Sequence, residues 1–276
     1  MANYFGRIWR GAMLFAGSGA TLAMVAMSYD DDRGAENANN LRASTQWDDN
    51  WDRRAPPPDA ADSTDGDKPT KATASRHLIL IRHGQYDHRY DLAHKPDELR
   101  VLTQLGHQQA TITGKRLKEL QAATGSGYNA LIHSSLKRAI ETTIDIIPSL
   151  EVVPPVSSCD LLIEGLPCKP DPGQPVSWKN RHKFYQEGAR IEAAFRKYFY
   201  RANPEQKSDT TDIIVCHANV IRYFVCRALQ LPPEAWLRMS LAHCSITRIT
   251  IRPNGRVTLK GLGDAGHLPA NMITYS

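Results

Sequence analysis

The stretch "HLILIRHGQYDHRY", residues 77–90, changes character in its middle, and that change decides the fold. Residues 78–81 are an unbroken run of Leu and Ile, which predicts a strand buried on both faces. Arg82, His83 and Gly84 follow without a spacer. Ligands of open α/β sheets bind beyond the carboxyl ends of the strands, so this ending predicts a binding site at the edge of such a sheet.

Strands and helices alternate along the chain from residue 76 onward. The predicted strands are 77–82, 129–134, 212–217 and the two arms of a hairpin at 246–262 with an Asn-Gly turn. A strand-like run also occupies 159–163. The predicted helices are 102–121, 135–147, 181–202 and 218–230. Thr103 is placed to cap the first of them. This order predicts a three-layer α/β domain, in which helices cover both faces of a mostly parallel sheet and the hairpin adds an antiparallel edge.

The N-terminal part of the chain has a different composition. Residues 11–27 carry no charge and, extended by Ile8 and Trp9, approach the roughly 20 residues that cross a membrane core. We therefore expect residues 1–29 to be a membrane anchor, although a cleaved secretory signal has a similar basic start and short apolar core. Residues 30–75 are polar and rich in Pro, so we expect a flexible, disordered linker before a folded domain at 76–276.

One short piece of that linker differs from the rest. The sequence "WDDNWD", which begins at Trp47, holds two of the five tryptophans of the chain. A single helical turn would place Trp47 and Trp51 on one face, and tryptophan rings commonly anchor interfaces. We expect a self-association element whose carboxylates, Asp48, Asp49 and Asp52, pair with the basic surface of a neighbouring copy. The alternative is a solvated aromatic patch within the linker.

Composition argues against several classes of partner and cofactor. The formal net charge is +5 and the chain contains no block of five or six basic residues, so nucleic acid binding is not predicted. The five cysteines are scattered and odd in number, which argues against a disulfide framework or a zinc site. No cluster of carboxylates is evident. We therefore predict neither a metal nor a cofactor.

Polar side chains follow three of the predicted strands. Arg82 and His83 end the first strand, Arg138 lies in the first turn of the helix after the second, and His217 ends the third. Because the carboxyl ends of parallel strands share one edge of a sheet, we expect these side chains to converge. Glu141, one helical turn after Arg138, is expected to brace that arginine.

This set of residue types suits phosphoryl chemistry. The planar fork of arginine binds phosphate oxygens, and a neutral imidazole attacks phosphorus when its other nitrogen is held as a donor. A glycine lets the backbone approach the phosphate closely, which suits Gly84 beside His83. Cys216 is the alternative nucleophile, but strand alternation points it away from the side that His217 occupies.

Five segments carry a resemblance to a known family. "LIRHGQ", "LTQLGHQQA", "HSSLKRAIETT", "LLIEG" and "VCHANVIRY" resemble, in this order, the motifs of the histidine phosphatase (phosphoglycerate mutase-like) superfamily over residues 77 to about 262. The resemblance implies the histidine phosphatase fold, with His83 as the phospho-accepting nucleophile and Glu164 as the general acid. It also implies that the phosphoryl group is bound by Arg82, Arg138 and His217.

One position departs from the pattern of that superfamily. Many members have an asparagine where His243 stands in "LAHCSIT". The departure leaves two roles open for His243, which either binds phosphate or packs beside the pocket.

The resemblance narrows to the membrane-anchored mitochondrial protein phosphatases of this superfamily, to which "WDDNWD", "EGARIEAAFRKYF" and "SITRITIRPNGRV" are similar. It implies a serine/threonine phosphatase without significant mutase activity, which acts on a stress-activated MAP kinase kinase kinase. It also implies oligomers and a single-pass N-terminal anchor in a mitochondrial membrane, for which we favour the outer membrane and keep the inner membrane as the alternative. A small-molecule phosphatase or mutase with the same pocket remains an alternative, as does a membrane scaffold with secondary catalysis.

Overall fold

Residues 46–55, 72–87, 97, 100–173 and 181–275 are the part of the chain that the computed structural model describes. They fall within a single contact unit, Thr45–Ser276. The predicted anchor and most of the predicted linker lie outside these ranges. Among the described residues, no helix has both the length and the apolar character needed to cross a membrane. The anchor therefore stays a prediction.

Six strands of the described residues form one sheet. The strands are β1 (Arg76–Arg82), β2 (Ala130–Ser134), β3 (Val156–Cys159), β4 (Thr210–Cys216), β5 (Ile246–Ile251) and β6 (Val257–Asp264). The α-helices are α1 (Gln104–Thr124), α2 (Lys137–Ile146), α3 (Arg181–Tyr198) and α4 (Ala218–Ala228). The strand order is β3-β2-β4-β1-β5-β6. The first four strands of this order are parallel, whereas β5 pairs antiparallel with β1 and β6 with β5. The predicted mostly parallel sheet with a hairpin at its edge is confirmed.

The side chains of β1 alternate between two apolar clusters. Leu78 and Leu80 pack in the cluster that contains side chains of α3 and α4. Ile79 and Ile81 pack in the cluster that contains side chains of α1 and α2. A strand covered on both faces needs an apolar residue at every position, which explains the unbroken run. The predicted three-layer architecture is confirmed.

The predicted strand just before Glu164 is wrong. Asp160–Leu162 form a 3-10 helix, and the strand lies immediately before it as β3. Three of the four residues of β3 are exposed, because it is an edge strand held mainly by backbone pairing with β2. Its sequence therefore lacks an apolar pattern, whereas the following turn inserts Leu162 into the core.

The helix boundaries differ from the predicted ones by a few residues. The long helix α3 ends at Tyr198 rather than near residue 202, and α2 ends at Ile146, where a 3-10 turn containing Pro148 begins. The predicted N-cap of α1 is confirmed, since Thr103 Oγ1 accepts a hydrogen bond from the backbone N–H of Gly106 at 3.1 Å.

Residues 46–55 pack on the domain, which corrects the expectation of a disordered linker over this stretch. The indole Nε1 of Trp51 donates to the carbonyl of Gly255 at 2.8 Å, and its ring lies 5.9 Å from that of Phe195 on α3. The segment forms turns rather than a helical turn. Trp47 is half-buried, and its Nε1 has no hydrogen-bond partner among the described residues. Specific aromatic and polar contacts therefore order a segment whose average composition indicated disorder.

The carboxylates of this segment are used within the chain. Asp52 pairs with Arg201 at 2.7 Å, and the side chains are only 1% and 6% exposed, respectively. Burial alone would raise the pKa of Asp52, but the hydrogen bonds and charge of Arg201 outweigh it and hold the pKa below its usual value. Asp48 accepts from the backbone of Asn50, and its own main chain exchanges two hydrogen bonds with Gln230. The structure thus gives Asp52 an intrachain partner where a neighbouring copy was expected.

Candidate active site

The carboxyl ends of β1 and β4 deliver two histidines side by side. The two strands are neighbours, and Arg82 is paired with Cys216 in their register. The next residue of each strand leaves the sheet, and the backbone N–H of His83 donates to the carbonyl of Cys216 at 2.9 Å. The rings of His83 and His217 consequently lie 5.0 Å apart, centroid to centroid.

Two neighbours hold His83 in one tautomer. Its Nδ1 is 2.8 Å from the carbonyl oxygen of Gly84, which can only accept, so Nδ1 carries the proton. Its Nε2 is 3.3 Å from Nε of Arg138, which can only donate, so Nε2 presents a lone pair. A neutral imidazole anchored at Nδ1 is the form that attacks an electrophile through Nε2.

The surroundings of the two histidines favour their neutral forms. Burial lowers the pKa of His83 well below its usual value, and the charges of His217, Arg138 and Arg82 lower it further. Burial and the two arginines lower the pKa of His217 in the same way. His217 Nε2 lies 2.8 Å from Ser134 Oγ, while its buried Nδ1 has no hydrogen-bond partner within the described ranges. That nitrogen is available to a ligand oxygen.

Arg138 is buried and connects His83 with a carboxylate. Its Nη1 and Nη2 donate to the backbone and side-chain oxygens of Asp97 at 3.1 and 3.0 Å, while Nε points at His83. Glu141 accepts instead from the backbone N–H of Leu102 at 2.7 Å. The prediction that Glu141 braces Arg138 is wrong, because Asp97 takes that place.

Arg82 is oriented by two acceptors. It donates from Nη1 to the carbonyl of Leu241 at 2.6 Å and from Nη2 to His243 Nε2 at 2.9 Å. Since the guanidinium can only donate, His243 must carry its proton on Nδ1, which lies 2.9 Å from Thr274 Oγ1. Burial lowers the pKa of Arg82 to about 10, which leaves it protonated at neutral pH. His243 thus supports Arg82 beside the pocket.

Glu164 lies among the same positive charges. Burial raises its pKa, whereas a hydrogen bond from Gly165 N–H at 3.1 Å and the charges of Arg138, Arg82 and Arg222 oppose the rise. The balance is a pKa above the usual value, so the carboxyl keeps its proton to higher pH than an exposed glutamate does. This is the property that a general acid requires.

Cys216 faces the apolar core instead of the pocket. It is fully buried in the cluster under α3 and α4, and burial raises the pKa of its thiol. A thiolate nucleophile at this position is therefore disfavoured. Within the residues that the structure describes, no group of three or more His, Cys, Asp or Glu side chains is arranged to hold a metal ion.

Three residues of the site region were not found by sequence reasoning. Tyr86 stacks edge-on against His83 with centroids 5.1 Å apart, and Asp97 binds Arg138. Arg190 on α3 binds the backbone that leads into Glu164. Two of them had a weak signal in the sequence: Tyr86 is an aromatic residue shortly after Gly84, and Arg190 is an arginine within an amphipathic helix. Asp97 lies in a stretch without periodicity, so no pattern pointed to it.

Comparisons with known proteins match the same part of the chain. The family model described as "Histidine phosphatase superfamily (branch 1)" matches residues 78–165 and 169–264. The Xenopus laevis protein "Serine/threonine-protein phosphatase PGAM5, mitochondrial" is 44% identical over 96% of this chain and 98% of its own length. The Homo sapiens protein of the same name is 50% identical over 83% of this chain and 80% of its own length.

A solved structure shares the fold. The crystal structure of phosphoglycerate mutase from Plasmodium falciparum superposes with a TM-score of 0.50 at 32% identity. The match covers 74% of this chain and 99% of that one. The residues matched by the family model include His83, Glu164 and His217.

Proposed function

This chain belongs to the histidine phosphatase superfamily, and we propose that it is a mitochondrial serine/threonine-protein phosphatase that forms a phosphohistidine intermediate on His83. The observation that carries the proposal is the state of His83, a buried neutral ring with Nδ1 anchored on Gly84 and the Nε2 lone pair facing Arg138. The names of the Xenopus laevis and Homo sapiens relatives support the reaction class and the compartment.

In the first half-reaction, the phosphoryl group of a phosphoserine or phosphothreonine lies among Arg82, Arg138 and His217. His83 Nε2 attacks phosphorus, and the bond from phosphorus to the side-chain oxygen breaks. Glu164 gives its proton to that oxygen, so the leaving group departs as a neutral hydroxyl. Phosphohistidine and the Glu164 carboxylate remain.

In the second half-reaction, the Glu164 carboxylate takes a proton from a water molecule. The water oxygen attacks phosphorus, and the bond from phosphorus to Nε2 breaks and returns the lone pair to His83. Inorganic phosphate leaves and Glu164 is protonated again. The buried Arg138 and Arg82 hold the phosphoryl oxygens through both steps, since their forks favour a planar array of oxygens.

The proposal extends to partners and location. The substrate is a phosphorylated protein, with a stress-activated MAP kinase kinase kinase as the candidate, and mutase activity is not significant. The chain is held in a mitochondrial membrane by residues 1–29. Copies associate through Trp47, Asp48, Trp51 and Asp52. The protein substrate and the mitochondrial location are supported by the names of the relatives, and the other statements rest on the sequence resemblance alone.

The proposed reaction is tested by substituting each of the two candidate nucleophiles separately. His83→Ala should abolish turnover of a phosphoserine peptide, whereas Cys216→Ser should keep most of it because the thiol faces the core. Acid-labile phosphate should be trapped on His83 of the unsubstituted protein. Label on a cysteine or serine would contradict the mechanism. A higher kcat/KM for phosphoglycerates than for the peptide would support the small-molecule alternative.

The proposed anchor is tested by extraction. The full chain should remain with mitochondrial membranes in alkaline carbonate, and a chain that starts at Arg33 should be soluble. Release of the full chain by carbonate would overturn the anchor, whichever reaction the domain catalyses.

A further inference from the structure

The backbone that carries Glu164 is held by one arginine of α3. Arg190 donates from Nη1 to the carbonyls of Leu161 and Ile163 at 2.8 and 2.5 Å, and from Nη2 to the carbonyl of Glu164 at 3.1 Å. A single guanidinium thus accounts for three carbonyls of the four residues that end at the acid. Its planar fork suits such an arrangement, because its donors keep fixed relative directions.

The far side of Glu164 is held in the same manner. Glu187, one turn before Arg190 on α3, accepts from the backbone N–H of Leu166 at 2.6 Å. Asn219 on α4 donates to the carbonyl of Gly165 at 3.1 Å. Side chains of two helices therefore fix the main chain on both sides of the acid.

Close packing leaves this loop little room to move. A Cβ atom added to Gly188 of α3 would lie 2.4 Å from the carbonyl oxygen of Pro167. One added to Gly165 would lie 2.7 Å from Arg190 Nη2. At Gly188 the helix backbone meets the loop backbone directly, and at Gly165 the loop backbone lies against the side chains of Arg190 and Glu187, so α3 restricts where Glu164 can lie.

We propose that Arg190 is a positioning residue that aims the carboxyl of Glu164 at the leaving oxygen. The inference rests on the proposed role of Glu164 as general acid. Arg190 acts through the backbone, because its guanidinium hydrogen bonds within the described residues all end on carbonyls of the loop. A displacement of about 1 Å in a reacting group can cost roughly 10²-fold in rate. The loss should therefore be confined to esters that need protonation of the leaving group.

The test compares two esters and two substitutions. Arg190→Met and Arg190→Lys should both lower kcat for a phosphoserine peptide by roughly 10–10²-fold and change kcat for 4-nitrophenyl phosphate little. Lysine keeps the charge but lacks the fork, so rescue by lysine would show that charge matters and would overturn the proposal. Arg196→Met, at an exposed position of α3, is the matched control and should leave both rates unchanged.

A double substitution separates this role from that of Glu164. In a background of Glu164→Gln, Arg190→Met should cause no further loss on the peptide, because the group that it positions is gone. A multiplicative loss, or equal losses on the two esters, would overturn the positioning role. Equal losses from Glu164→Gln alone would overturn the acid and the positioning role together. A selective effect of Glu164→Gln without one of Arg190→Met would overturn the positioning role only.

An independent feature lies at the opposite end of the sheet. A cavity of about 330 Å³ opens between the C-terminal turns of α1 and the β5–β6 hairpin. His77 on its wall lies six residues before His83, so the two sites are separated by about 20 Å along β1. Its wall includes Ile79, Leu120, Tyr128, Arg248, Thr250 and Lys260. The volume is within the range of small-molecule sites.

The charges at this cavity are unbalanced. The guanidinium of Arg248, half-buried on β5, makes neither a hydrogen bond nor an ion pair within the described part of the chain, and Lys260 lies on the adjacent strand β6. The wall also contains the carboxylate of Asp209. Its Oδ1 accepts a hydrogen bond from Ser75 N–H at 2.8 Å, and its Oδ2 lies 3.3 Å from His77 Nε2. Gly261 pairs with Arg248 across the ladder, and a Cβ there would meet no atom within 4 Å. Open space thus adjoins an arginine whose guanidinium pairs with no carboxylate in the described residues.

We infer that this cavity binds a small organic anion with an apolar body. The anionic head would pair with Arg248 and Lys260, and the body would lie against Ile79 and Leu120. A bidentate arginine favours a carboxylate or phosphate head, and the apolar wall supplies burial for a short chain or ring.

Octanoate and octanol provide matched probes of this site. Titration calorimetry should detect octanoate binding to the full chain, with octanol at least about tenfold weaker. Arg248→Met should weaken octanoate by a similar factor, and Arg252→Met, an exposed arginine at the end of the hairpin arm, should not. Absence of octanoate binding, equal binding of the two probes, or equal effects of the two substitutions would each overturn the inference.

Discussion

Burial favours the uncharged form of both reacting residues of the pocket, and it therefore moves their pKa values in opposite directions. Removal from water disfavours charge, which lowers the pKa of His83 and raises the pKa of Glu164. Pairs of groups whose pKa values are moved in this way divide acid and base roles between them. Both shifts favour the protonation states that the proposed reaction requires.

These pKa directions predict the pH dependence of turnover. Glu164 must carry a proton to act, and its pKa is raised, so kcat on a phosphoserine peptide should fall as pH rises through that pKa. His83 stays neutral well below pH 6.5, so its titration should not cause a loss near that pH. The measurement is the ratio of the unsubstituted protein to Glu164→Gln across pH 4–9, in which titration of the substrate phosphate cancels. A flat ratio, or an acidic limb centred near 6.5, would contradict the assignment.

The hydrogen bond from Arg82 to His243 provides a second prediction at the scale of single residues. His243→Leu removes the acceptor of Arg82 Nη2 and should lower kcat/KM about 10- to 100-fold, since a buried hydrogen bond to a charged group is lost. His243→Asn offers an amide oxygen to the same donor and should retain most of the activity. Steady-state kinetics on one phosphopeptide distinguish the two variants. Equal losses would indicate that the imidazole itself contacts the substrate.

The elements of the fold bring these residues together by their ends. β1 and β4 end one residue before the two histidines, α2 begins one residue before Arg138, and α1 begins directly after its N-cap Thr103. The start of α1 lies close to the stretch after His83, because Thr103 Oγ1 also lies 2.7 Å from Gln85 Oε1. Helix starts and strand ends therefore build the site, while the interiors of these elements build the core.

The cap of α1 can be tested by stability. Thr103→Ala should lower the free energy of unfolding by about 1 kcal/mol, because the N–H of Gly106 loses its acceptor. Thr103→Ser keeps the hydroxyl and should be close to the unsubstituted protein. Urea unfolding of the chain that starts at Arg33 gives both values. If serine were as destabilising as alanine, the methyl group rather than the cap would be responsible.

At the scale of the whole molecule, the Trp-Asp segment is the proposed contact between copies of the chain. Asp52 and Arg201 form a buried pair within the chain, and breaking one partner of such a pair typically costs about 3–5 kcal/mol. Sixteen residues, 56–71, separate this segment from residue 72, where the described stretch that leads into β1 begins. Fully extended, they reach about 55 Å, which is long enough for the same contacts to form on a neighbouring copy.

A charge exchange tests whether the segment serves as an assembly element. Asp52→Arg and Arg201→Asp should each reduce particle mass and turnover in the chain that starts at Arg33. If copies exchange their segments, mixing the two variants should restore mass by light scattering, because each segment then finds an opposite charge on the other chain. If only the double variant Asp52→Arg/Arg201→Asp recovers stability and mixing has no effect, the contact is purely intrachain and the association proposal fails.

The sequence by itself determined the order of strands and helices, the two-faced burial of β1 and the placement of Arg82, His83 and His217 at strand ends. These features depend on periodicity and on residues close along the chain, which a single sequence displays directly. The same signals located the cap at Thr103. They failed at the edge strand β3, which needs no apolar face because its backbone pairs with β2.

Only the tertiary structure decided which side chains meet. Arg82 contacts a histidine 161 residues away, Arg138 a carboxylate 41 residues away, and Asp52 an arginine 149 residues away. No periodic pattern encodes such pairs, because they depend on how complete elements pack. Glu141 was the expected partner of Arg138 because it was near in sequence, yet Asp97 is the residue that reaches it. Residues close in sequence can share an element, whereas the packing of complete elements determines which side chains come into contact.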